Sequence, residues 1–372
     1  MRAALLSFAI GVFALHTTAV RAQSWTLAAN ASVIIGSEDR GPEYQLSQVS
    51  LVRRLSDGRI LVVMGPDMRY FDASGKYTAK AGGRGQGPGE FQYVSALYVL
   101  AGDTLLAQNS RAKVWLSRDG KFIRQEILTL DPLMKNGWFA EGAMLLPNGN
   151  LLSPQYQEER PGSIPTGLYR PVLRYTLLDV SKGTIIPLIT SGGLRQITHP
   201  GGRGGGVQPF TPHAQQAIGA DRLYVGDNDT TFVSVFTLDG KPLGTVTVAD
   251  KAVPVTARDL DDYKKSTLES IGNNAERRAR FEQSWNEVPK PARFPYWSTA
   301  MVDKTGNLWV SMRATPALPT EWRVFDRAGK RIATLTAPAH FSIREIGADY
   351  VLGVAVDDAG IESVRMYALV KR

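Results

Sequence analysis

From Trp25 onward the chain alternates short apolar runs with clusters of Gly, Asp, Asn and Lys, the pattern of strands joined by tight turns. The runs group into a degenerate unit: a strand, a turn with Gly or Asp, a second strand, a variable loop, a third strand, then a tight turn and a fourth strand. The last turn reads FDASGKY at residues 71–77, LSRDGKF at 116–122, FTLDGKP at 236–242 and FDRAGKR at 325–331. The first reads LSDGRI at 55–60, LPNGNL at 146–151 and DKTGNL at 303–308. Second-strand cores RILVV, TLLAQ, NLLSP, RLYVG, NLWVS and YVLGV bring the count of units to six. Four antiparallel strands repeated at this scale predict an all-β chain, a six-bladed β-propeller. The sixth unit stops after its third strand, SVRMYALV at 363–370, while WTLAANASVII at 25–35 has no unit of its own. The spare strand is therefore expected to complete the last blade and close the ring, removing an exposed edge.

One segment breaks the β pattern. In TARDLDDYKKSTLESIG, residues 256–272, Thr256 and Asp259 form a capping-box-like start, and Leu260, Tyr263, Leu268 and Ile271 recur at helical spacing. A second helix is expected over about 275–285. The insertion, about 256–286 between blades four and five, balances its acids and bases, so it reads as a cap on the propeller rim rather than a basic membrane or nucleic-acid helix.

GGRGQGPGEF, residues 82–91, is rich in glycine but fits neither the GxxxxGK[ST] phosphate loop nor a GxGxxG that opens a helix. It is read as a joint between blades, with Phe91 as a plug. A side chain at Gly87 is expected to disrupt it more than loss of the Arg84 charge. GRGQGPGEF after an outer strand resembles the inter-blade joint of NHL-repeat propellers. The whole mature chain is similar to exported bacterial six-bladed β-propeller proteins, which implies the propeller fold and says little about activity.

Residues 1–22 carry Arg2, an apolar run from Ala3 to Leu15, and small residues Val20 and Ala22 before Gln23, the marks of a cleaved secretory leader. A single exported domain over 23–372 is expected, periplasmic or extracellular, monomeric and without a transmembrane segment. The absence of cysteine excludes disulfides, thiolate metal sites and a cysteine nucleophile. Removing Arg2 and Arg21 with the leader lowers the formal charge of +8 by two, and the remaining surplus is dispersed, so nucleic acid is not an expected partner.

Strand parity sends the short turns to one face. The longer segments, 154–170, 190–213, 250–297 and 314–321, fall on the other, the entry face at which each first strand begins. The expected role is a binding scaffold for a peptide, glycan or partner protein on that face, with Arg111, Asp227, Asp229, Trp297 and Glu321 as candidate contacts. No GxSxG motif or triad spacing marks a nucleophile, so catalysis is not expected and no cofactor is required. The alternative is a metal-dependent hydrolase or lyase of the gluconolactonase, paraoxonase or propeller-lyase type. In it Asp227 and Asp229 of GDNDTT, at 226–231, offer oxygen ligands to calcium, or His199, His213 and His340 bind zinc. Against it, DND is an ordinary solvated turn composition, and His199 and His213 fall in what reads as a flexible Gly/Pro-rich loop.

Overall fold

A computed structural model describes residues 23–36, 40–109, 112–140, 142–159, 164–200, 203–312 and 318–372; the expected leader at 1–22 and the candidate Arg111 lie outside the described residues. Six sheets of four or five strands follow one another, with a further sheet of three. Their first strands are Val49–Arg54, Ala96–Val99, Trp138–Ala140 with Met144–Leu145, Ala214–Ile218, Ala300–Val302 and Phe341–Ile346. Each sheet then continues antiparallel in chain order, as in Ile60–Met64, Asp67–Phe71 and Tyr77–Gly82 of the first.

The second strands are the most apolar and the most deeply buried. Leu105–Gln108 and Leu308–Ser311 are buried at every position, flanked by neighbours on both faces. Core clusters form between sheets rather than within them. Leu61, Met68 and Phe91 meet Leu105 and Val114 between the first and second sheets. Val52, Ile60 and Phe71 meet Tyr350, Leu352 and Val364 between the first and sixth. Tyr224, Val235 and Trp297 meet Leu308 and Val310 between the fourth and fifth. This is the sheet-on-sheet packing of a β-propeller.

The recurrent tight turns are locked by the residue that opens them. Asp72 Oδ1 accepts from the amides of Ser74 at 2.9 Å and Lys76 at 3.0 Å. Asp326 Oδ1 does the same for Ala328 and Lys330, both at 2.9 Å. An Asx acceptor two residues before the turn tip supplies what the backbone cannot.

The N-terminal segment divides its pairing. Gln23–Ser24 runs parallel to Arg331–Ala337 of the fifth sheet, and Thr26–Leu27 and Val33–Ile35 both pair antiparallel with Glu362–Val370 of the sixth. A single continuous strand over 25–35 is thus replaced by three short ones that span two sheets. Trp25 fixes the crossover, 5% exposed and with its ring centroid 5.7 Å from that of Trp309.

GGRGQGPGEF spends its amides internally. Gly83 N donates to Pro66 O at 3.1 Å, Gly85 N to Phe91 O at 3.2 Å, Gly87 N to Glu90 Oε2 at 2.9 Å and Phe91 N to Gly83 O at 2.9 Å. Phe91 is 1% exposed between two sheets, as a joint requires. The critical glycine is Gly82, not Gly87. Gly82 has φ +71° and a Cβ there would lie 2.5 Å from the Pro66 carbonyl, whereas a Cβ on Gly87 would meet only the Glu90 carboxylate at 3.1 Å.

The insertion forms α1 (Ala257–Ile271) and α2 (Ala275–Glu287). Thr256 Oγ1 accepts from Asp259 N at 3.2 Å while Asp259 Oδ2 accepts from Thr256 N at 2.8 Å, the reciprocal pair the sequence predicts. The helices rest on an aromatic chain: Phe210 lies 4.6 Å from Phe294 and 5.1 Å from Tyr263, which stacks on Trp285 at 6.0 Å.

Beside the cap, Gly167–Tyr169, Gln196–His199 and Arg203–Val207 make the three-stranded sheet. Half of the segment 190–213, expected as a flexible loop, is therefore strand. The glycine run of Arg203–Val207 hides this from sequence, because without side chains it carries no alternation. Those glycines admit α2 closely: a Cβ on Gly206 would fall on Ser284 Oγ.

Candidate functional site

Asp227 ends the strand Arg222–Asp227 and is paired in register with Ala214, the first residue of its sheet's first strand. This puts the loop 227–230 at the entry face, where parity assigns it. Its side chains are neither solvated nor gathered for a cation. Asp227 binds Arg170 Nη2 through both oxygens, at 3.0 and 2.9 Å, and accepts from Ser191 Oγ at 2.7 Å. Asp229 accepts from Arg293 Nη2 at 2.7 Å and from Arg195, with Arg170 Nη1 at 3.5 Å. Between them Asn228, 1% exposed, accepts from His213 N at 2.8 Å and receives Tyr296 N on its own carbonyl at 2.8 Å. Thr230 O takes the Trp297 indole N–H at 3.0 Å.

Burial works against ionisation of Asp227, but Arg170, Ser191 and the Asp229 amide together hold its carboxyl below the ordinary carboxylate range. The loop is thus a fastening between the third-sheet insertion, the fourth sheet and the segment leaving the cap. A divalent cation does not fit there, since three guanidinium groups already occupy the carboxylates it would need.

The histidines are dispersed. His199 Nε2 lies 3.4 Å from Glu287 Oε2 on α2, His213 Nδ1 lies 3.4 Å from Thr211 O, and His340 is an exposed turn residue with φ 57°. No group of three His, Asp or Glu able to hold a metal occurs among the described residues. Trp297 is 1% exposed within the core between the fourth and fifth sheets, so its indole faces protein rather than a ligand. Glu321 is exposed and accepts from Arg323 Nε at 3.0 Å.

A different feature occupies the entry face. A cavity of about 370 Å³ opens between the first strands Val49–Arg54, Ala300–Val302 and Phe341–Ile346 and reaches Ser311, Thr320 and Trp322. Leu51, Met301, Trp322, Phe341 and Ile343 give it apolar walls. Two guanidinium groups enter it. Arg53 donates from Nε to Leu97 O at 3.1 Å and from Nη1 to Val52 O at 2.8 Å, which leaves Nη2 with no partner among the described residues. The Arg344 carbonyl accepts from Arg53 Nη1 at 3.4 Å, while its guanidinium makes no hydrogen bond or ion pair with any described residue. Desolvation lowers its basicity, opposed by the charge of Glu362. Glu362 itself accepts from Val49 N at 2.7 Å.

Sequence reasoning did not reach these residues. The signal was present in SIREI, where Ser342 and Arg344 alternate with buried Phe341, Ile343 and Glu345 on a first strand, the strand that borders the propeller's centre. A second groove, of about 380 Å³, lies between the helices, but Lys264, Lys265 and Arg278 with Asp261 and Glu269 make it a mixed-charge helix surface.

No family model matches the chain, and no curated protein matches it. Solved structures do. A member of the DUF4221 family from Bacteroides vulgatus ATCC 8482 is 11% identical, with 95% of this chain and 99% of that one covered at a TM-score of 0.53. A protein from Bacteroides fragilis NCTC 9343 is 13% identical over 94% and 96% of the two chains at 0.49. Regucalcin, a calcium-binding protein from Agrobacterium tumefaciens strain C58, is 12% identical over 95% and 98% at 0.42. At these identities the likeness is one of fold.

Proposed function

We propose that the chain is an exported, monomeric, six-bladed propeller of NHL-like type, one domain over 23–372 closed by its N-terminal strands, and that it works as a non-catalytic binding scaffold at its entry face. The six-fold ring is supported by the core shared between the first and sixth sheets and by the pairing of residues 26–35 with the last strand. The observation that carries the binding role is the cavity of about 370 Å³. It takes residues from three sheets, has apolar walls and contains charge without a partner. Such a volume holds a small molecule or the end of a peptide or glycan rather than a folded partner's surface.

A metal-dependent hydrolase or lyase is the weaker reading, because Asp227 and Asp229 are engaged by Arg170, Arg195 and Arg293.

Native mass spectrometry after incubation with a small-molecule extract of the producing cells tests the role. The wild-type protein is expected to take up an adduct that Ser342→Trp, which fills the cavity, does not. An adduct retained by a folded Ser342→Trp variant would place the ligand elsewhere.

A further inference from the structure

The cavity also specifies a ligand chemistry, and the step to it rests on the binding role proposed above. Its polar groups divide into spent and free. Ser50 Oγ donates to Val63 O at 3.2 Å, Ser311 Oγ accepts from Thr299 N at 3.0 Å, and Thr299 Oγ1 reaches Gln215 Oε1 at 3.4 Å. The Arg344 guanidinium, Arg53 Nη2 and the Ser342 and Thr320 hydroxyls have no such partners among the described residues. Every free group can donate, the two hydroxyls can also accept, and two of the groups belong to cations.

The nearby charges are Arg53, Arg344 and Glu362, which leaves one positive charge in excess; Glu345 is bound to Lys304 Nζ at 2.9 Å, and Glu321 to Arg323. A guanidinium fork without a partner, exposed at the opening beside apolar walls, is the arrangement that grips a planar anion through two parallel hydrogen bonds. One excess charge matches one carboxylate. Leu51, Met301, Trp322 and Phe341 provide room for an apolar body beside it.

We propose that the entry-face cavity binds an organic monocarboxylate with an apolar side, Arg344 and Arg53 holding the carboxylate. A free organic acid and the C-terminus of a peptide present the same chemistry there. Binding of phenylacetate and of N-acetylphenylalanine is measured by ligand-observed NMR and by hydrogen exchange, each beside its neutral amide.

The expected result is that at least one acid binds about tenfold or more tightly than its amide, protects Phe341–Ile346, and loses that margin in Arg344→Gln but keeps only a part of it in Arg344→Lys, which retains the charge without the fork. Preference for N-acetylphenylalanine assigns a peptide end, and preference for phenylacetate a free acid. Amides that bind as well as the acids, or an acid preference unchanged in Arg344→Gln, would overturn the carboxylate assignment while leaving the cavity as the site. If neither acid nor amide protects any first strand, both the assignment and the entry-face reading fail.

Discussion

Arg293 donates to Asp229 Oδ1 at 2.7 Å across 64 residues of chain, while its guanidinium lies 4.6 Å from the Tyr296 ring centroid. The contact fastens the segment leaving the helical cap to the fourth sheet, in a cluster where three arginines share two carboxylates. Asp229→Asn keeps size but leaves the guanidinium groups in mutual repulsion. A fully buried pair broken on one side costs about 3–5 kcal/mol. Here the side chains retain 18% to 35% of their exposure, so a loss of about 1–3 kcal/mol in urea unfolding is expected. Adding Arg293→Gln should cost less than the sum of the two single changes. An Asp229→Asn protein as stable as wild type would mean the cluster is idle.

The same cluster contributes to the acid limb of stability. The folded-state pKa of Asp227 is depressed, so its contribution is present above the unfolded value of about 3.9 and is lost as pH falls through the folded value. Between pH 7 and 4 Asp227 should add little slope. Below that, Asp227→Asn should flatten the decline seen in wild type. Urea midpoints measured from pH 2.5 to 7 decide the matter, and parallel curves for the two proteins would contradict it.

At the joint, Gly82→Ala is expected to cost about 1–3 kcal/mol, because the left-handed backbone and the Pro66 carbonyl leave no room for a methyl group. Gly87→Ala and Arg84→Ala should each stay within about 0.5–1 kcal/mol of wild type. Thermal melts of the three variants rank them, and the order fails if Gly87→Ala is the most damaging.

Removing residues 23–35 should lower the melting temperature and increase aggregation, since Glu362–Val370 then loses its outer partner and Trp309 loses Trp25. Light scattering during a thermal ramp reports both. Unchanged melting and scattering would show that these strands merely decorate the sixth sheet.

Alkali should unfold the protein cooperatively. Burial pushes Tyr98 up to about 12 and raises Tyr70, Tyr175 and Tyr350 further, with Glu345 adding to the effect at Tyr350. A raised folded-state value stabilises fully below the unfolded pKa near 10 and is lost as pH rises beyond it. Absorbance at 295 nm should therefore show a delayed, steep step coincident with the loss of near-ultraviolet circular dichroism. A gradual titration centred near pH 10 in folded protein would contradict the burial.

What the sequence makes legible follows the range of the interaction. Turns such as that opened by Asp72 and the Thr256–Asp259 cap are closed within a few residues, and the buried second strands announce themselves by composition. The partners of Asp227 and Asp229 lie 34 to 64 residues away, at Arg195, Ser191, Arg170 and Arg293. No local spacing marks such pairs, so an acidic loop reads as solvated or metal-binding when it is a fastening. The strand Arg203–Val207 was hidden for the opposite reason, having too few side chains to form a pattern. Arg344 stood in plain view in an alternating strand, but its significance depends on which strand lines the centre.

The parallel pairing of Ser24 with Thr334, and the register of Val33 with Met366, join the first part of the described chain to the last. Synthesis delivers these partners more than 300 residues apart. However early the intermediate sheets form, the latch cannot be completed until Glu362–Val370 arrives, and contacts of such sequence separation carry the highest loop-closure cost. A chain stalled or clipped near its C-terminus would present an unpaired latch and an open sheet edge together. Two such chains could satisfy each other by exchange. The same few strands that pair with the fifth and sixth sheets in the finished molecule thus make the unfinished one adhesive, and the speed with which Glu362–Val370 is delivered becomes part of the protein's solubility.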